Sequence, residues 1–302
     1  MLFPFFYPIL IMPNAGETCR KFIRTRACRA AERTIMILAD THTHTSFSTD
    51  SDTPARRQIE QAIRLGLEDY CITDHYDLDF PGEPGSFLFD LPEYFRTLSA
   101  LSEEYKDRIR IRIGVELGLQ PQLSRDPAEI ISAYPFDYVI GSTHVVDQMD
   151  PYYPDYWKGK TEEAGLLRYF EDVLANVQAY DCFDSCGHLD YIIRYLPSHR
   201  PVDLMGEYGG ILDEILRVLI DRGKALECNT AGFKYGLGHP NPHEEIIFRY
   251  LELGGDMITI GSDGHRPEHL AYDFSRLPEL LRKLGCRYYV TFTERKPFYH
   301  PL

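Results

Sequence analysis

Histidine and carboxylate side chains, the residue types that bind divalent metals, end several short apolar runs of this 302-residue chain. The first run leads into His42-x-His44, and the last leads into Asp263-x-His265. Residues two apart on a strand project from the same face, so each pair is suited to chelating one ion. A single His-x-His pair is a weak signal, because a lone histidine at a strand end is more often a hydrogen-bonded core residue.

The number of such positions strengthens the metal interpretation. Seven apolar runs end at polar residues, and six of the eleven histidines lie at these ends. A buried polar group without a partner costs about 1–3 kcal/mol, so a fold that gathers many of them must also satisfy them. Divalent ions are such partners, and the sequence therefore predicts a site for several metals. The further candidate ligands are His75, Glu116, His144 and His188.

Two carboxylates allow two interpretations each. Glu116 can bridge two cations, because a carboxylate has two oxygens, or it can cap the turn after its strand. Asp50, six residues past His44, can bind a metal or cap the helix that the chain approaches there.

Segments with helical spacing separate the apolar runs, so strand and helix alternate through seven units. This order predicts an α/β closed barrel in which the C-terminal ends of the strands meet at one active-site face. Gly66, Gly223, Gly254 and Gly285 lie where four helices should end. We expect a last strand at about 287–292 to close the sheet. The predicted helices are about 54–66, 92–106, 126–133, 162–180, 203–222, 242–253 and 275–284.

Composition predicts one catalytic domain acting on a small molecule. The chain is 44% hydrophobic and 26% charged, and strand–helix barrels of this length form single domains. Its formal net charge of −14 argues against a protein that binds the phosphate backbone of nucleic acids, which needs a basic face.

The first 35 residues differ from the rest. They begin with an apolar stretch that lacks a basic start, is broken by prolines and is too short to span a bilayer. We expect the first core strand at or beside Met36, so residues 1–35 are predicted to be a disordered extension or an upstream mis-called start. Residues 36–302 are predicted to be the catalytic barrel domain. Seven cysteines without a C-x-x-C pair indicate buried, reduced thiols and a cytoplasmic protein without a membrane segment.

The candidate ligands, taken together, resemble the motifs of the PHP (polymerase and histidinol phosphatase) superfamily, and most closely those of its histidinol-phosphate phosphatases. The likeness covers essentially all of residues 36–302, and it is specific because nine ligand-type positions occur in the right order. The motifs are Asp40-x-His42-x-His44 with Asp50, Thr73-Asp74-His75, Glu116, Ser142-Thr143-His144, Gly187-His188 and Gly261-Ser262-Asp263-Gly264-His265.

The resemblance implies a distorted seven-stranded (β/α) barrel, a (β/α)7 barrel, with three divalent metal ions at the C-terminal strand ends. Zn, Fe and Mn all suit mixed histidine and carboxylate ligation. Asp50 stands where some relatives have histidine, which is within the range of the family. The implied ligands are His42, His44, Glu116 and Asp263 for one metal, Asp50, His75 and His265 for a second, and Glu116, His144 and His188 for a third.

An activity also follows from the resemblance, namely hydrolysis of L-histidinol phosphate to L-histidinol and phosphate in histidine biosynthesis. The segments around Arg194 and Lys234 resemble this subgroup. Arg194 is then a candidate phosphate clamp, and Lys234 is a second candidate for binding substrate. The alternative for Arg194 is a surface ion pair.

The charge of the substrate indicates the mechanism. A phosphate monoester is a dianion, so metals are needed to neutralise it and to lower the pKa of a bridging water towards about 7. Metal-bound hydroxide is expected to attack phosphorus in line, without a phosphoenzyme. Asp263, His265 or His188 is expected to assist proton transfer to the leaving alkoxide. The acidic candidates for contact with the cationic end of the substrate are Asp147, Asp150 and Asp155.

Three other functions compete with this prediction. A PHP phosphoesterase acting on nucleotides or nucleic acid 3′ ends would share the barrel, but the acidic composition and the lack of a basic stripe with interleaved aromatics disfavour it. A non-catalytic, metal-stabilised module would share the ligands. An amidohydrolase with two metals is disfavoured, because the strand expected to carry its bridging lysine ends at Glu116.

Overall fold

The computed structural model describes residues 36–82, 85–123 and 125–302. Within it, Met36–Leu302 forms one compact unit. The predicted extension of residues 1–35 lies outside the described residues. The first described strand begins at Ala39, three residues later than the predicted start at Met36.

Parallel strands form one sheet that curls into a barrel. The strands are β1 (Ala39–Asp40), β2 (Asp69–Ile72), β3 (His75–Asp77), β4 (Arg110–Gly118), β5 (Tyr138–Ser142), β6 (Ser185–Cys186), β7 (Ala225–Asn229) and β8 (Ile258–Gly261). The order along the sheet is β1-β2-β4-β5-β6-β7-β8, and the short β3 follows β2 in the chain and pairs with β4.

Backbone hydrogen bonds between the two ends of the sheet close the barrel. The Thr41 N–H donates to the Ile260 carbonyl at 3.0 Å, and the Asp263 N–H donates to the His42 carbonyl at 2.8 Å. The seven strand positions and this closure confirm the predicted (β/α)7 barrel. The C-terminal ends of the strands therefore face the same side.

Helices lie between consecutive strands, and each predicted helix is present with ends within two residues of the prediction. Local signals explain this agreement, because Asp90, Asp126, Thr161 and Asp203 accept hydrogen bonds from first-turn N–H groups. The helices are α1 (Ala55–Arg64), α2 (Leu91–Tyr105), α3 (Pro127–Ala133), α4 (Glu162–Ala179), α5 (Leu204–Asp221), α6 (Ala231–Lys234), α7 (Glu244–Glu252) and α8 (Leu277–Leu284).

A hairpin follows the last helix, and here the sequence prediction was wrong. The segment predicted to close the sheet at 287–292 becomes β9 (Tyr288–Thr293), which pairs antiparallel with β10 (Lys296–Pro301). The barrel is already closed between β1 and β8, so a further strand has no edge to join. Val290 and Phe292 of the hairpin are buried against residues at the N-terminal ends of the barrel strands, including Tyr138, whose ring stacks on that of Phe292. The hairpin thus leaves the opposite, ligand-bearing face uncovered.

Two further features concern the described residues only. The five cysteines among them, Cys71, Cys182, Cys186, Cys228 and Cys286, are unpaired, and all but Cys182 are buried. None of the described helices combines the length and the apolar character that crossing a membrane requires.

Candidate metal centre

Glu116 lies at the centre of the C-terminal face, and imidazoles from four other strand positions surround it. Its side chain is fully buried at the end of β4. Its Oε2 faces three ring nitrogens and its Oε1 faces two. The distances from Oε2 are 3.1 Å to His42 Nε2, 3.5 Å to His44 Nε2 and 3.0 Å to His75 Nδ1, and those from Oε1 are 3.1 Å to His144 Nε2 and 2.9 Å to His188 Nε2.

The buried carboxylates and imidazoles at this centre strongly shift one another's pKa values. Burial raises the pKa of the Glu116 carboxyl, but the neighbouring imidazoles lower it more, and it lies well below its usual range. Burial lowers the pKa of His42, but the Glu227 and Glu116 carboxylates raise it well above its usual range. Burial lowers the pKa of His144 as well, and Asp77 and Glu116 raise it to about 10. The carboxylates are therefore ionised, and the cluster requires positive charge.

Asp50 belongs to a second part of the centre. Its Oδ2 lies 3.0 Å from His265 Nε2 and 3.5 Å from His75 Nε2. Burial raises the pKa of Asp50, but the two imidazoles lower it more, to below its usual range. The interpretation of Asp50 as a helix cap is wrong, because Pro54 is the N-cap residue of α1 and none of the described side chains caps that helix.

Asp263 joins the two parts of the centre. Its Oδ1 lies 3.6 Å from His44 Nε2 and 3.5 Å from His265 Nδ1. Its backbone has φ 54°, in the left-handed region that non-glycine residues rarely adopt. Such a conformation persists only when its surroundings hold it, and at Asp263 it aims a carboxylate between two imidazoles.

Unsatisfied buried atoms show that these residues fit metal ions. His42 Nε2, His44 Nε2, His75 Nδ1 and Glu116 Oε2 are buried and make no hydrogen bond to the described residues. A divalent ion accepts lone pairs from all four atoms and would satisfy them together. Ligand atoms within 4.8 Å of one another occur in four groups, which are His42/His44/Glu116, Glu116/His144/His188, His44/His75/His265 and His75/Asp77/His144.

Two carboxylates that the sequence analysis did not assign to the site hold these imidazoles in place. Glu227 Oε1 lies 2.6 Å from His42 Nδ1, and its Oε2 accepts a hydrogen bond from the His188 N–H at 2.7 Å. Asp77 Oδ2 lies 2.7 Å from His144 Nδ1. A carboxylate on the remote ring nitrogen fixes the orientation of a metal-binding imidazole and increases its basicity. Period-two spacing could have identified Asp77, which lies two residues after His75.

Two glycines make room for these carboxylates. A Cβ at Gly261 would lie 2.3 Å from His42 Cβ and 2.6 Å from Glu227 Oε1. A Cβ at Gly118 would lie 2.3 Å from the carboxyl carbon of Asp77. Both distances are far inside van der Waals contact, so no other residue fits at either position without displacing a carboxylate.

Arg194 lies beside the centre, in a short 3₁₀ helix at Tyr191–Tyr195. Its Nη1 donates to Asp263 Oδ2 at 2.9 Å, and its Nε donates to Asn241 Oδ1 at 2.9 Å. Only 2% of its side chain is exposed, so the alternative of a surface ion pair is wrong. Burial lowers the pKa of Arg194, but the Asp263 carboxylate raises it by more, so the pKa lies above its usual range.

A cavity of about 680 Å³ opens onto these side chains. Arg194 lines it, and so does Lys234, whose Nζ donates to the Asp263 carbonyl at 3.1 Å. His188, Asp263 and His265, the predicted proton donors, also line it. The structure thus brings every predicted site residue to one face of the barrel.

Of the three acidic residues predicted to meet the cationic end of a substrate, one lines this cavity. That residue is Asp150. Asp147 is paired with Arg168 at 3.0 Å, and Asp155 is paired with Lys158 at 2.7 Å. The prediction is therefore wrong for Asp147 and Asp155, because both carboxylates are engaged by cations outside the cavity.

A parallel barrel with imidazoles and carboxylates gathered at its C-terminal face defines a class of metal-binding enzymes, and comparison with known proteins identifies the family. The PHP domain family matches residues 40–231, which include most of the candidate ligands. The chain belongs to the PHP domain family.

Individual relatives show which members of this family the chain resembles. The chain is 34% identical to a histidinol-phosphatase of Lactococcus lactis over 85% of this chain and 95% of the relative. It is 33% identical to a probable histidinol-phosphatase of Clostridium acetobutylicum over 85% of this chain and 97% of that protein. The crystal structure of the Lactococcus lactis histidinol phosphate phosphatase, complexed with Zn, L-histidinol and phosphate, superimposes with a TM-score of 0.79 over 86% of this chain and 98% of that one.

Proposed function

We propose that this chain is a metal-dependent phosphomonoesterase that hydrolyses L-histidinol phosphate to L-histidinol and phosphate. The observation that carries the proposal is the set of five imidazoles around the Glu116 carboxylate, next to a cavity that Arg194 lines. The relatives support the substrate, since those with 33–34% identity are named histidinol-phosphatases. The alternative of a nucleotide or nucleic acid substrate has no comparable support.

The proposal includes three divalent ions. The division of the contacts supports this number. Glu116 Oε2 faces His42 and His44, and its Oε1 faces His144 and His188. Asp50 faces His265 and the Nε2 of His75, whose Nδ1 also faces Glu116 Oε2. We assign Asp263 to the first ion, beside His42 and His44, and we assign His75 and His265 to the ion that Asp50 binds. Zn, present in the Lactococcus lactis structure, Fe and Mn all suit these ligands. When bound, the ions supply positive charge to the phosphoryl oxygens and activate a water.

Residues of the chain are proposed to bind the phosphoryl group, to protonate the leaving group and to orient the metal ligands. Arg194 and Lys234 bring two cations to the cavity wall near Asp263, and the guanidinium fork fits two phosphoryl oxygens. The leaving alkoxide needs a proton, and Asp263, His265 and His188 all reach the cavity where it would form. Glu227 and Asp77 keep the imidazoles of His42 and His144 oriented for this chemistry.

A cytoplasmic location and a small-molecule substrate complete the proposal. Cysteines that stay unpaired are typical of reducing compartments, and the five in the described part of the chain are all unpaired. The excess of acidic residues does not suit a nucleic-acid partner.

Reconstitution with single metals tests the proposed function. Protein stripped of metal is supplied with Zn, Fe or Mn and assayed for phosphate release from L-histidinol phosphate, nucleoside monophosphates and a short oligonucleotide with a 3′-phosphate. We expect metal-dependent release with the highest kcat/KM on L-histidinol phosphate. A higher kcat/KM on either nucleotide substrate would replace the proposal with the alternative. Absence of release from every ester would leave a non-catalytic metal protein.

A further inference from the structure

The loop after β5 contains a carboxylate, Asp150, that forms no ion pair within the described part of the chain. Asp150 lines the cavity, and its Oδ1 accepts a hydrogen bond from the Tyr152 N–H at 2.8 Å. Its second oxygen, Oδ2, has no hydrogen-bond or ion-pair partner within the described part of the chain. The nearby loop acids differ, because Asp147 is paired with Arg168 and Asp155 is paired with Lys158. Asp150 therefore offers a free acceptor to whatever enters the cavity.

The surroundings of Asp150 favour a cation other than a metal. Asp150 forms no ion pair with an imidazole among the described residues, whereas Asp50 and Asp263, the proposed aspartate ligands, each face two. The loop cations are engaged elsewhere, since Lys160 lies 3.8 Å from the ring centroid of Tyr156 and Arg168 bridges to Asp172 at 2.8 Å. Burial raises the pKa of the Asp150 carboxyl, so the ionised form gains from a positive charge within the cavity.

Aromatic rings line the same cavity as Asp150. Tyr195 packs edge-on against Tyr152, with 5.3 Å between ring centroids, and lies 5.0 Å from Tyr191. Tyr191 in turn lies 5.0 Å from the ring of His188 at the metal centre. Aromatic faces attract ammonium groups, and a carboxylate next to them adds a full negative charge. An alkylammonium matches this combination better than any neutral group does.

The loop holds Asp150 in a fixed position. Val146 and Met149 exchange two backbone hydrogen bonds of 2.9 Å, which closes a tight turn immediately before Asp150. On the other side, the Trp157 indole N–H donates to the Pro151 carbonyl at 3.2 Å. A carboxylate placed in advance loses little conformational entropy when it binds a ligand, so it can contribute strongly to selectivity.

We infer that Asp150 binds the ammonium group of the substrate and thereby selects amino-alcohol phosphates over phosphate esters that lack the amine. The inference rests on the proposed function and specifies which part of the substrate the loop recognises. In L-histidinol phosphate the ammonium lies three bonds from the ester oxygen, so it stays close to the phosphoryl group. Asp150 and His144 both line the cavity, so the loop carboxylate and the metal centre face the same space.

A pair of substrates tests the inference. L-Histidinol phosphate is compared with imidazolylpropyl phosphate, which has hydrogen in place of the ammonium. Asp150→Asn keeps the side-chain shape and the acceptor for the Tyr152 N–H but removes the charge. Asp155→Asn is the matched control, because it removes a charge from the same loop that is exposed and paired with Lys158.

We expect Asp150→Asn to raise KM for L-histidinol phosphate about 30-fold or more, with kcat within about threefold, because the contact is made equally in the ground and transition states. KM for imidazolylpropyl phosphate should stay within about threefold of wild type, and Asp155→Asn should change neither substrate. Metal content and the thermal unfolding midpoint of Asp150→Asn should match those of the wild type.

Three outcomes would overturn the inference. Equal losses of kcat/KM on both substrates would show that Asp150 acts on the phosphoryl end or on the metals. A wild-type enzyme that turns over both substrates equally well would have no ammonium site, whatever the variant does. Lack of activity of the wild type on L-histidinol phosphate would overturn the proposed function together with the inference, whereas the first two outcomes leave the proposed function intact.

Discussion

Replacing Glu227 with glutamine should weaken metal binding although Glu227 is not itself a predicted ligand. Its carboxylate is fully buried and accepts from two sides. Oε1 lies 2.6 Å from His42 Nδ1, and Oε2 accepts from the His188 N–H at 2.7 Å. When His42 Nε2 binds a metal, Nδ1 carries the proton and donates to Glu227 Oε1. On the other side, Oε2 accepts from the His188 backbone N–H and also from Asn229 Nδ2 at 3.2 Å.

Glutamine cannot satisfy the donors on both sides. Its single carbonyl accepts on one side, and its amide then turns a further donor towards the other side. Loss of a carboxylate that orients a metal-binding imidazole lowers metal affinity about 10- to 100-fold, which equals about 1.4 to 2.8 kcal/mol. The buried N–H left without an acceptor should lower the free energy of unfolding by about 1–3 kcal/mol.

Competition with a chelator measures the first effect, and denaturant unfolding of metal-free protein measures the second. Asp184→Asn is the control, because Asp184 is a nearly buried carboxylate that accepts from the Val139 N–H and pairs with Arg295 at the opposite end of the barrel. The control should lose stability but keep wild-type metal affinity. A Glu227→Gln protein that holds its metals as tightly as the wild type, within about threefold, would refute the argument that this carboxylate orients a ligand.

Three further predictions concern the proposed ligands, the phosphate site and the N-terminal segment. Glu116→Gln should lower the occupancy of two metals together, because an amide cannot bridge cations, whereas Asp50→Ala should release one; elemental analysis that finds three metals in Glu116→Gln would exclude a bridging carboxylate. Arg194→Ala should lower kcat/KM about 10²-fold with metal content retained, and Arg194→Lys should recover only part of it, since lysine lacks the planar fork; near wild-type turnover would return Arg194 to a structural contact of Asp263. Removal of residues 1–35 should leave metal content and turnover unchanged, because the candidate ligands all follow Ala39; loss of more than half the activity would make the segment part of the working enzyme.

Local patterns in the sequence were enough for the order and type of the elements. Helix ends were predicted within two residues, because caps such as Thr161 and glycines such as Gly285, with φ 98°, act on their nearest neighbours. Period-two spacing likewise placed His42 with His44 on one face. These signals need no knowledge of the rest of the chain.

The segment at 287–292 shows that a local pattern can predict a strand without predicting its pairing partner. The segment was correctly predicted to be a strand, and β9 covers nearly the same residues. Its partner was predicted wrongly, because strand pairing depends on which sheet edges remain free. Here β1 and β8 use each other's edges, and the last strand pairs with β10 instead.

Only the tertiary structure decided how the polar side chains divide their contacts. His42 and Glu227 are 185 positions apart, and Arg194 and Asp263 are 69 apart, so no spacing rule connects them. The same holds for the loop acids, which look alike in the sequence. Asp150 reaches the cavity while its neighbours meet surface cations, because the path of the folded loop, and not residue type, determines which carboxylates a cation can reach.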